Sequence, residues 1–140
     1  MIQLYLNKEK ILVDDGIYRL ISKLNEKGFY TKSSCSGLFS DHYKNNNYVA
    51  LHFFVAFDTS KIDINKIEYI KSLKNTEEFI IRDFSTYNNL VVSYLHNDTY
   101  RNMCLCDLFS MNEDNLKIHL EIDKYVQTQI NNFTKKIDVY

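Results

Sequence analysis

The sequence predicts a single α+β domain over residues 1–140, with helices packed on a mostly antiparallel sheet. Three observations lead to this fold class. Hydrophobic residues make up 45% of the chain and aromatic residues 14%, which is enough to build a core. Segments with strand character and segments with helical periodicity follow one another along the whole chain. The chain also contains no proline and no internal repeat, so nothing divides it into two domains.

The first third of the chain predicts a strand, a helix and a second strand. Residues 1–6 alternate and are rich in strand formers. Asp14 or Asp15 is a candidate N-cap for a helix with one apolar face. Gly28 is the expected left-handed residue after that helix, which carries lysines in its last turn. Residues 29–33 then favour a short strand.

The middle of the chain predicts three more strands and one helix. Residues 48–57 are apolar except for His52, which is typical of a strand that is buried on both faces in the centre of a sheet. Residues 58–60 offer caps for a second helix, whose apolar residues recur at helical spacing. Residues 79–84 and 90–95 predict the two strands of a hairpin.

The last third of the chain contains one ambiguous segment and one long helix. Residues 99–109 fit a helix and a strand equally well. From residue 112 to about residue 136 the pattern predicts a helix with a broad apolar stripe. The stripe consists of Leu116, Leu120, Ile122, Val126, Ile130 and Phe133. It is wide enough to cover the sheet or to pair with a second copy, so a monomer and a homodimer both stay open.

Charge and composition indicate the compartment and the classes of partner. The net charge is -1, so no overall field attracts nucleic acid or an anionic membrane. No apolar run reaches the length of a membrane-spanning helix, and the N-terminus lacks the pattern of a signal peptide. Three cysteines are too few for a disulfide framework and suit a reducing compartment. We therefore expect a cytoplasmic protein without a membrane or nucleic-acid partner.

Residues 31–37 contain one threonine, three serines, one cysteine and one glycine, in a chain that has only three glycines. A loop of this composition at the end of a strand can hold an anion such as a phosphate. It is also the composition of a tight turn whose serines bond to their own backbone, so both interpretations stay open. The predicted ligand-binding residues in this segment are Ser33, Ser34, Cys35, Ser36 and Gly37.

Polar residues within or beside the later predicted strands are the other candidate ligand contacts. An arginine beside tyrosines suits a phosphate that is attached to a stacked base or a ribose. Arg82 and Arg101 could instead pair with surface carboxylates such as Glu77 or Asp107. The predicted contacts in this group are His42, Arg82, His96, Tyr100 and Arg101.

The cysteines do not predict a catalytic or metal site. No local Cys-His signature accompanies Cys35, so we do not predict it as a nucleophile. Cys104 and Cys106 form one pair, whereas a zinc site usually shows two such pairs at characteristic spacing. We therefore predict no catalytic residue, no metal ligand and no cofactor.

Two segments of the chain and the helix between them resemble the start of the wybutosine-synthesising tRNA methyltransferase family. The segments are residues 12–17 and residues 30–37, and the second contains the core Ser33-Ser34-Cys35-Ser36-Gly37. That family carries an aspartate-opened helix followed by a Thr-Ser-Ser-Cys-Ser-Gly-Arg signature. The resemblance implies methyl transfer from S-adenosylmethionine to a modified guanosine in tRNA. In this chain Leu38 stands in place of the arginine, and no later family motif matches. What carries over is a loop suited to a nucleotide-like ligand.

Three functions are therefore in competition. We expect a small non-catalytic protein that binds a nucleotide-type ligand. Some small phage proteins sequester host immune signalling nucleotides, such as cyclic nucleotides or cyclic ADP-ribose derivatives, and we expect this protein to be of that kind. The second function is an S-adenosylmethionine-dependent methyltransferase that acts on a tRNA base. The third is an interaction module that inhibits a host factor through the long C-terminal helix and an exposed sheet edge.

Overall fold

The first described element of the chain is a two-stranded sheet. The structure, a computed structural model, describes residues 2–6, 9–38, 41, 53–73, 79–93 and 113–140. Strands β1 (Ile2–Leu6) and β2 (Glu9–Val13) pair in antiparallel orientation, with Ile2 opposite Val13. Strand β1 confirms the first predicted strand. The sequence did not predict β2, because its charged first residues conceal the strand character of the apolar residues that follow.

The first helix ends as its sequence predicts. Helix α1 comprises Tyr18–Glu26, and Gly28 follows it with a φ of +84°. The Gly28 N–H donates to the carbonyl of Asn25 (3.1 Å), and the Phe29 N–H donates to that of Leu24 (2.8 Å). These two bonds define a Schellman motif, in which glycine adopts the left-handed conformation without a steric penalty.

The start of this helix differs from the prediction. A 3-10 turn at Asp15–Ile17 precedes α1, and the residue in the N-cap position of α1 is Ile17. Asp14 stands before the 3-10 turn, but its carboxylate makes no capping hydrogen bond. The predicted N-cap is therefore wrong, because the Asp14 side chain binds a distant part of the chain, described below.

Four antiparallel strands form the main sheet, in the order β3-β4-β6-β5. They are β3 (Thr31–Cys35), β4 (Phe54–Asp58), β5 (Ile80–Phe84) and β6 (Asn89–Ser93). β4 lies between β3 and β6, which confirms the predicted central place of the apolar run. β5 and β6 pair along their whole length, which confirms the predicted hairpin.

The edge strand β3 corrects one boundary of the sequence analysis. It begins at Thr31 and continues through Cys35, two residues beyond the predicted strand end. Ser33, Ser34 and Cys35 are therefore strand residues, paired with Ala56, Val55 and Phe54. The small polar side chains concealed the strand because they lack the bulk that usually marks one.

The two remaining helices confirm their predicted positions. Helix α2 comprises Ile64–Ser72 and is capped by Asp63, whose carboxylate accepts from the Asn65 N–H (2.7 Å). Asp58, which was a predicted cap, instead caps a separate 3-10 turn at Thr59–Lys61. Helix α3 comprises Glu113–Asp138. Within the described part of the chain, no helix is long and apolar enough to cross a membrane.

One hydrophobic core joins the sheet to the helices. Its fully buried side chains include Phe53 and Phe57 from the sheet region and Phe29 from the end of α1. The stripe of α3 contributes Ile122, Val126, Ile130, Phe133 and also Ile137. Leu120 is 49% exposed, so its predicted place in the stripe is wrong, and the side chain of Leu116 lies outside the described residues. The stripe thus covers the sheet within one chain.

Candidate functional site

The chain leaves β3 through a corner whose backbone N–H groups donate to side chains. The Ser36 N–H donates to Oδ2 of Asp14 at 3.0 Å, and the Leu38 N–H donates to Oγ of Ser36 at 3.2 Å. The Ser36 hydroxyl in turn donates to Oδ2 of Asp41 at 2.6 Å. Gly37 has a φ of +71°, a left-handed conformation that glycine adopts readily. We call this unit, with Gly16 added below, the Ser36 corner.

The beginning of the first helix is part of the same unit. The Gly16 N–H donates to Oδ2 of Asp41 at 3.1 Å. A Cβ atom on Gly16 would lie 2.1 Å from Cδ1 of Leu38 and 2.9 Å from the Asp41 carboxylate. Ser36 is fully buried, and Asp14 is 9% exposed. The two segments that carry the family resemblance are therefore in direct contact, although more than twenty residues separate Asp14 from Ser36.

The hydrogen bonds of the Ser36 corner limit what it can bind. The N–H groups of Gly16, Ser36 and Leu38 all donate to acceptors within the protein. The two carboxylates beside them would repel a phosphate group. The geometry therefore favours a structural role for Ser36 and Gly37, while their contact with a ligand stays a prediction.

Cys35 lies at the edge of this corner and carries a neutral thiol. Burial, more than any other cause, raises its pKa from 9.0 to about 11. The carboxylates of Asp14 and Asp41 raise the pKa further, and a hydrogen bond from the Gly37 backbone lowers it. A thiol with this pKa is almost entirely protonated at neutral pH and is a poor nucleophile.

A different arrangement exists on the face of the main sheet that points away from the core, which we call the second sheet face. Directly paired residues of antiparallel strands lie on the same face. The register aligns Arg82 with Val91, Val91 with Ala56, and Ala56 with Ser33. Because neighbouring strands lie about 4.8 Å apart, this row spans about 14 Å. Arg82 and Ser33, which are both exposed, occupy its two ends, whereas Ala56 between them is 3% exposed.

Two aromatic rings flank this row. Phe54 lies in the neighbouring row, which also contains Cys35, and Phe84 lies beyond Arg82 on β5. Neither ring belongs to the core that the described residues form or to the side chains packed against it, and Phe84 is 44% exposed. The second sheet face therefore combines aromatic rings, a guanidinium group and a hydroxyl with the carboxylate of Asp58, which lies in the row of Phe84.

No described carboxylate forms an ion pair with Arg82. Its chain neighbour Asp83 pairs with Lys71 at 3.0 Å. Glu77, the carboxylate that the sequence analysis considered as a partner, lies outside the described residues. Among the residues that the structure describes, the Arg82 guanidinium is therefore available to an external anion.

The predicted site residues thus fall into four groups. Ser33, Cys35 and Arg82 have register positions on the second sheet face. Ser34 pairs with buried Val55 and so belongs to the core side, whereas Ser36 and Gly37 form the corner. The predicted contacts that lie outside the described residues are His42, His96, Tyr100 and Arg101.

Sequence reasoning missed the two carboxylates of the corner and the two aromatic rings. Asp14 carried a capping signal that pointed to the helix, and Asp41 lay in a polar segment without a pattern. Phe54 had a signal, since an aromatic residue in a central strand must face one side of the sheet, but the side depends on register. Within the described ranges, no group of three His, Cys, Asp or Glu side chains could hold a metal ion.

Comparisons of the chain with protein-family models, with curated proteins and with solved structures gave no match.

Proposed function

We propose that the protein is a non-catalytic binding domain for a nucleotide-type ligand, which it holds on the second sheet face. The observation that carries this proposal is the register, because it aligns Arg82 and Ser33 in one row across the same face. The sequence predicts Ser33 and Arg82 as ligand contacts from two separate segments of the chain.

The chemistry of the face matches the parts of a nucleotide. A guanidinium group binds phosphate through two parallel hydrogen bonds, and Arg82 has no described carboxylate competing for it. Phenylalanine rings such as those of Phe54 and Phe84 stack with bases, with little dependence on the base. The Ser33 hydroxyl, about 14 Å away across the strands, can bond to a ribose or to a second phosphate.

The neutral thiol of Cys35 supports binding without conversion, since a protonated thiol is not activated as a nucleophile. A protein of this kind would act by sequestering its ligand. Cyclic nucleotides and cyclic ADP-ribose derivatives are therefore the first ligands to test. S-adenosylmethionine belongs in the same panel, because it separates this proposal from the methyltransferase alternative.

Calorimetric titration of this panel tests the proposal. We expect one ligand to bind, and Arg82→Gln to weaken its binding by about 10- to 100-fold, the usual effect of losing hydrogen bonds to a charged group. Lys124→Gln is the matched control, because it removes one exposed positive charge from α3, away from the sheet. This control should bind as the unmodified protein does.

Two results would overturn the proposal. One is the absence of binding to every member of the panel at millimolar concentration. The other is a ligand whose affinity is the same with and without the Arg82 guanidinium. Binding of S-adenosylmethionine, followed by methyl transfer to tRNA, would replace the proposal with the methyltransferase function.

A further inference from the structure

A groove of about 470 Å³ lies between helices α1 and α3. These helices contribute to the core, whereas the second sheet face points away from it, so the groove and that face are different surfaces. The groove has a predominantly polar lining. The residues on which the following argument depends are Arg19, Lys23, Asn131, Thr134, Lys135 and Asp138.

The groove has an excess of positive charge. It contains three basic side chains and one carboxylate. The carboxylate of Asp138 is paired with Nζ of Lys23, at 2.8 and 2.9 Å from its two oxygens. No described carboxylate lies within ion-pair distance of Arg19 or Lys135. Asp138, whose carboxylate Arg19 also attracts electrostatically, balances one of the three basic side chains, so two positive charges are in excess among the residues that line the groove.

The C-terminal end of α3 explains the positions of Lys23, a neighbouring lysine and Lys135, but not that of Arg19. Lys27 donates to the backbone carbonyls of Ile137 (2.8 Å) and Asp138 (3.1 Å) at the end of α3. Such contacts neutralise the partial negative charge of a helix C-terminus. Lys135 lies in the last turn of α3, where the helix dipole favours a positive charge. Arg19 lies in the first turn of α1 and makes no such contact with a described carbonyl, so a helix dipole does not account for its position.

The Asn131 amide offers an uncharged hydrogen-bond donor in the same groove as Arg19 and Lys135. The Oδ1 atom of Asn131 accepts a hydrogen bond from Nε2 of Gln127 at 3.2 Å. This bond orients the Asn131 amide, and no described group accepts a bond from its Nδ2 atom. The hydroxyl of Thr134 donates to the carbonyl of Ile130 at 2.8 Å, which leaves its oxygen as an acceptor only. Arg19, Lys135 and Asn131 together offer donors to an anion.

We propose that this groove binds a small phosphate-bearing anion, at a site separate from the second sheet face. Its volume lies in the range of roughly 300 to 1,000 Å³ that is usual for small-molecule sites. Arginine provides two parallel bonds to a phosphate, and lysine adds a point charge. Because Arg19 belongs to α1 and Lys135 to α3, the anion would bridge the two helices.

Calorimetric titration with inorganic pyrophosphate at low ionic strength tests this inference. We expect binding by the unmodified protein and at least a tenfold loss of affinity in the double variant Arg19→Gln/Lys135→Gln. The matched control is Lys117→Gln/Lys124→Gln, which removes two exposed positive charges from α3 outside the groove. This control should retain its pyrophosphate affinity, and thermal melting should show that both variants fold.

The outcomes separate this inference from the proposed function. Absence of pyrophosphate binding, or an equal loss in both double variants, overturns the groove site. Pyrophosphate binding that depends on Arg82 alone also overturns it and assigns the anion to the second sheet face.

A competition experiment distinguishes free pyrophosphate from the phosphate of a nucleotide as the ligand of the groove. In this experiment the nucleotide is titrated into pyrophosphate-saturated protein. An unchanged nucleotide affinity supports two sites, whereas competition that disappears in Arg19→Gln/Lys135→Gln indicates that the groove accepts nucleotide phosphates.

Discussion

The Ser36 corner and the second sheet face both contain small polar residues from one segment, residues 33–37, yet they use them in opposite ways. In the corner, the backbone N–H groups and the Ser36 hydroxyl bind Asp14, Asp41 and one another, and the serine is fully buried. On the sheet face, Ser33 is exposed at the end of a row that begins at Arg82. Serine content alone does not distinguish these two roles, whereas burial and hydrogen-bond partners do.

The physical reason is the cost of leaving a buried polar group without a partner, which is about 1–3 kcal/mol. Because Ser36 is buried, its N–H and hydroxyl must find partners inside the protein. Ser33 is exposed, so water satisfies it and a ligand can replace that water. The difference predicts that substitutions in the corner change stability and that substitutions on the sheet face change binding.

The largest expected effect comes from Gly16→Ala. The added Cβ would lie 2.1 Å from Leu38 Cδ1, a distance that real atoms do not adopt, so the corner must shift. Overpacking of this severity should lower the free energy of unfolding by about 3 kcal/mol or more. Chemical denaturation monitored by circular dichroism measures the loss.

Gly28→Ala is a milder glycine substitution, whose loss of stability can be compared with that of Gly16→Ala. Its Cβ would meet only the flexible end of Lys66, at 2.9 Å, but its φ of +84° is unfavourable for alanine. The left-handed conformation costs about 1–2 kcal/mol in a residue with a Cβ. Equal stability of the two variants would mean that the corner is not closely packed around Gly16.

A smaller effect is expected from Ser36→Ala, which leaves the buried Leu38 N–H without an acceptor and removes a donor from Asp41. We expect a loss of about 1–3 kcal/mol in the free energy of unfolding. Ser33→Ala is the matched control at an exposed position of the preceding strand β3, and it should change stability by less than about 0.5 kcal/mol. A Ser33 effect as large as that of Ser36 would remove the distinction between the two regions.

At neutral pH the smallest effect concerns Cys35, because its contribution to stability changes only as the pH rises above 9. Because its folded-state pKa is about 11, raised from 9.0, folding favours the neutral thiol. The resulting stability is fully present below pH 9 and is lost as the pH rises towards 11. Cys35→Ser should therefore lose less stability over this interval than the unmodified protein does.

Alkylation by iodoacetamide, quantified on the Cys35 peptide by mass spectrometry, measures the same pKa directly. Its rate should rise with a midpoint near pH 11 in the native protein. Asp14→Asn should lower this midpoint, because the Asp14 carboxylate is one of the groups that raise the pKa. A midpoint at or below pH 9 would show that Cys35 is an ordinary exposed thiol and would reopen its use as a nucleophile.

Local sequence patterns predicted most elements of the fold, because each of them is encoded by neighbouring residues. The Schellman ending at Gly28 and the β5–β6 hairpin required only short-range signals. Helix α3 was predicted from its periodicity, yet Leu120 was placed on the wrong side. The described part of α3 buries Ile122, Val126 and Ile130 against a single core, and the edge of that stripe depends on what packs there.

The candidate sites depended on contacts between residues distant in the chain. Asp14 is a residue type that often caps helices, but its carboxylate accepts a hydrogen bond from the N–H of Ser36, 22 residues later. The alignment of Arg82 with Ser33 follows from three strand pairings, and a shift of one residue in any of them would place the side chains on opposite faces.

The sequence by itself therefore determined the fold class, the end of α1 at Gly28 and the presence of a small polar segment at residues 33–37. Only the tertiary structure decided that this segment divides between a closed corner and an exposed sheet face. It also decided that Arg19 and Lys135, which are 116 positions apart, line one groove. The reason is that burial and strand register are properties of the assembled chain, whereas propensity and periodicity are properties of its neighbouring residues.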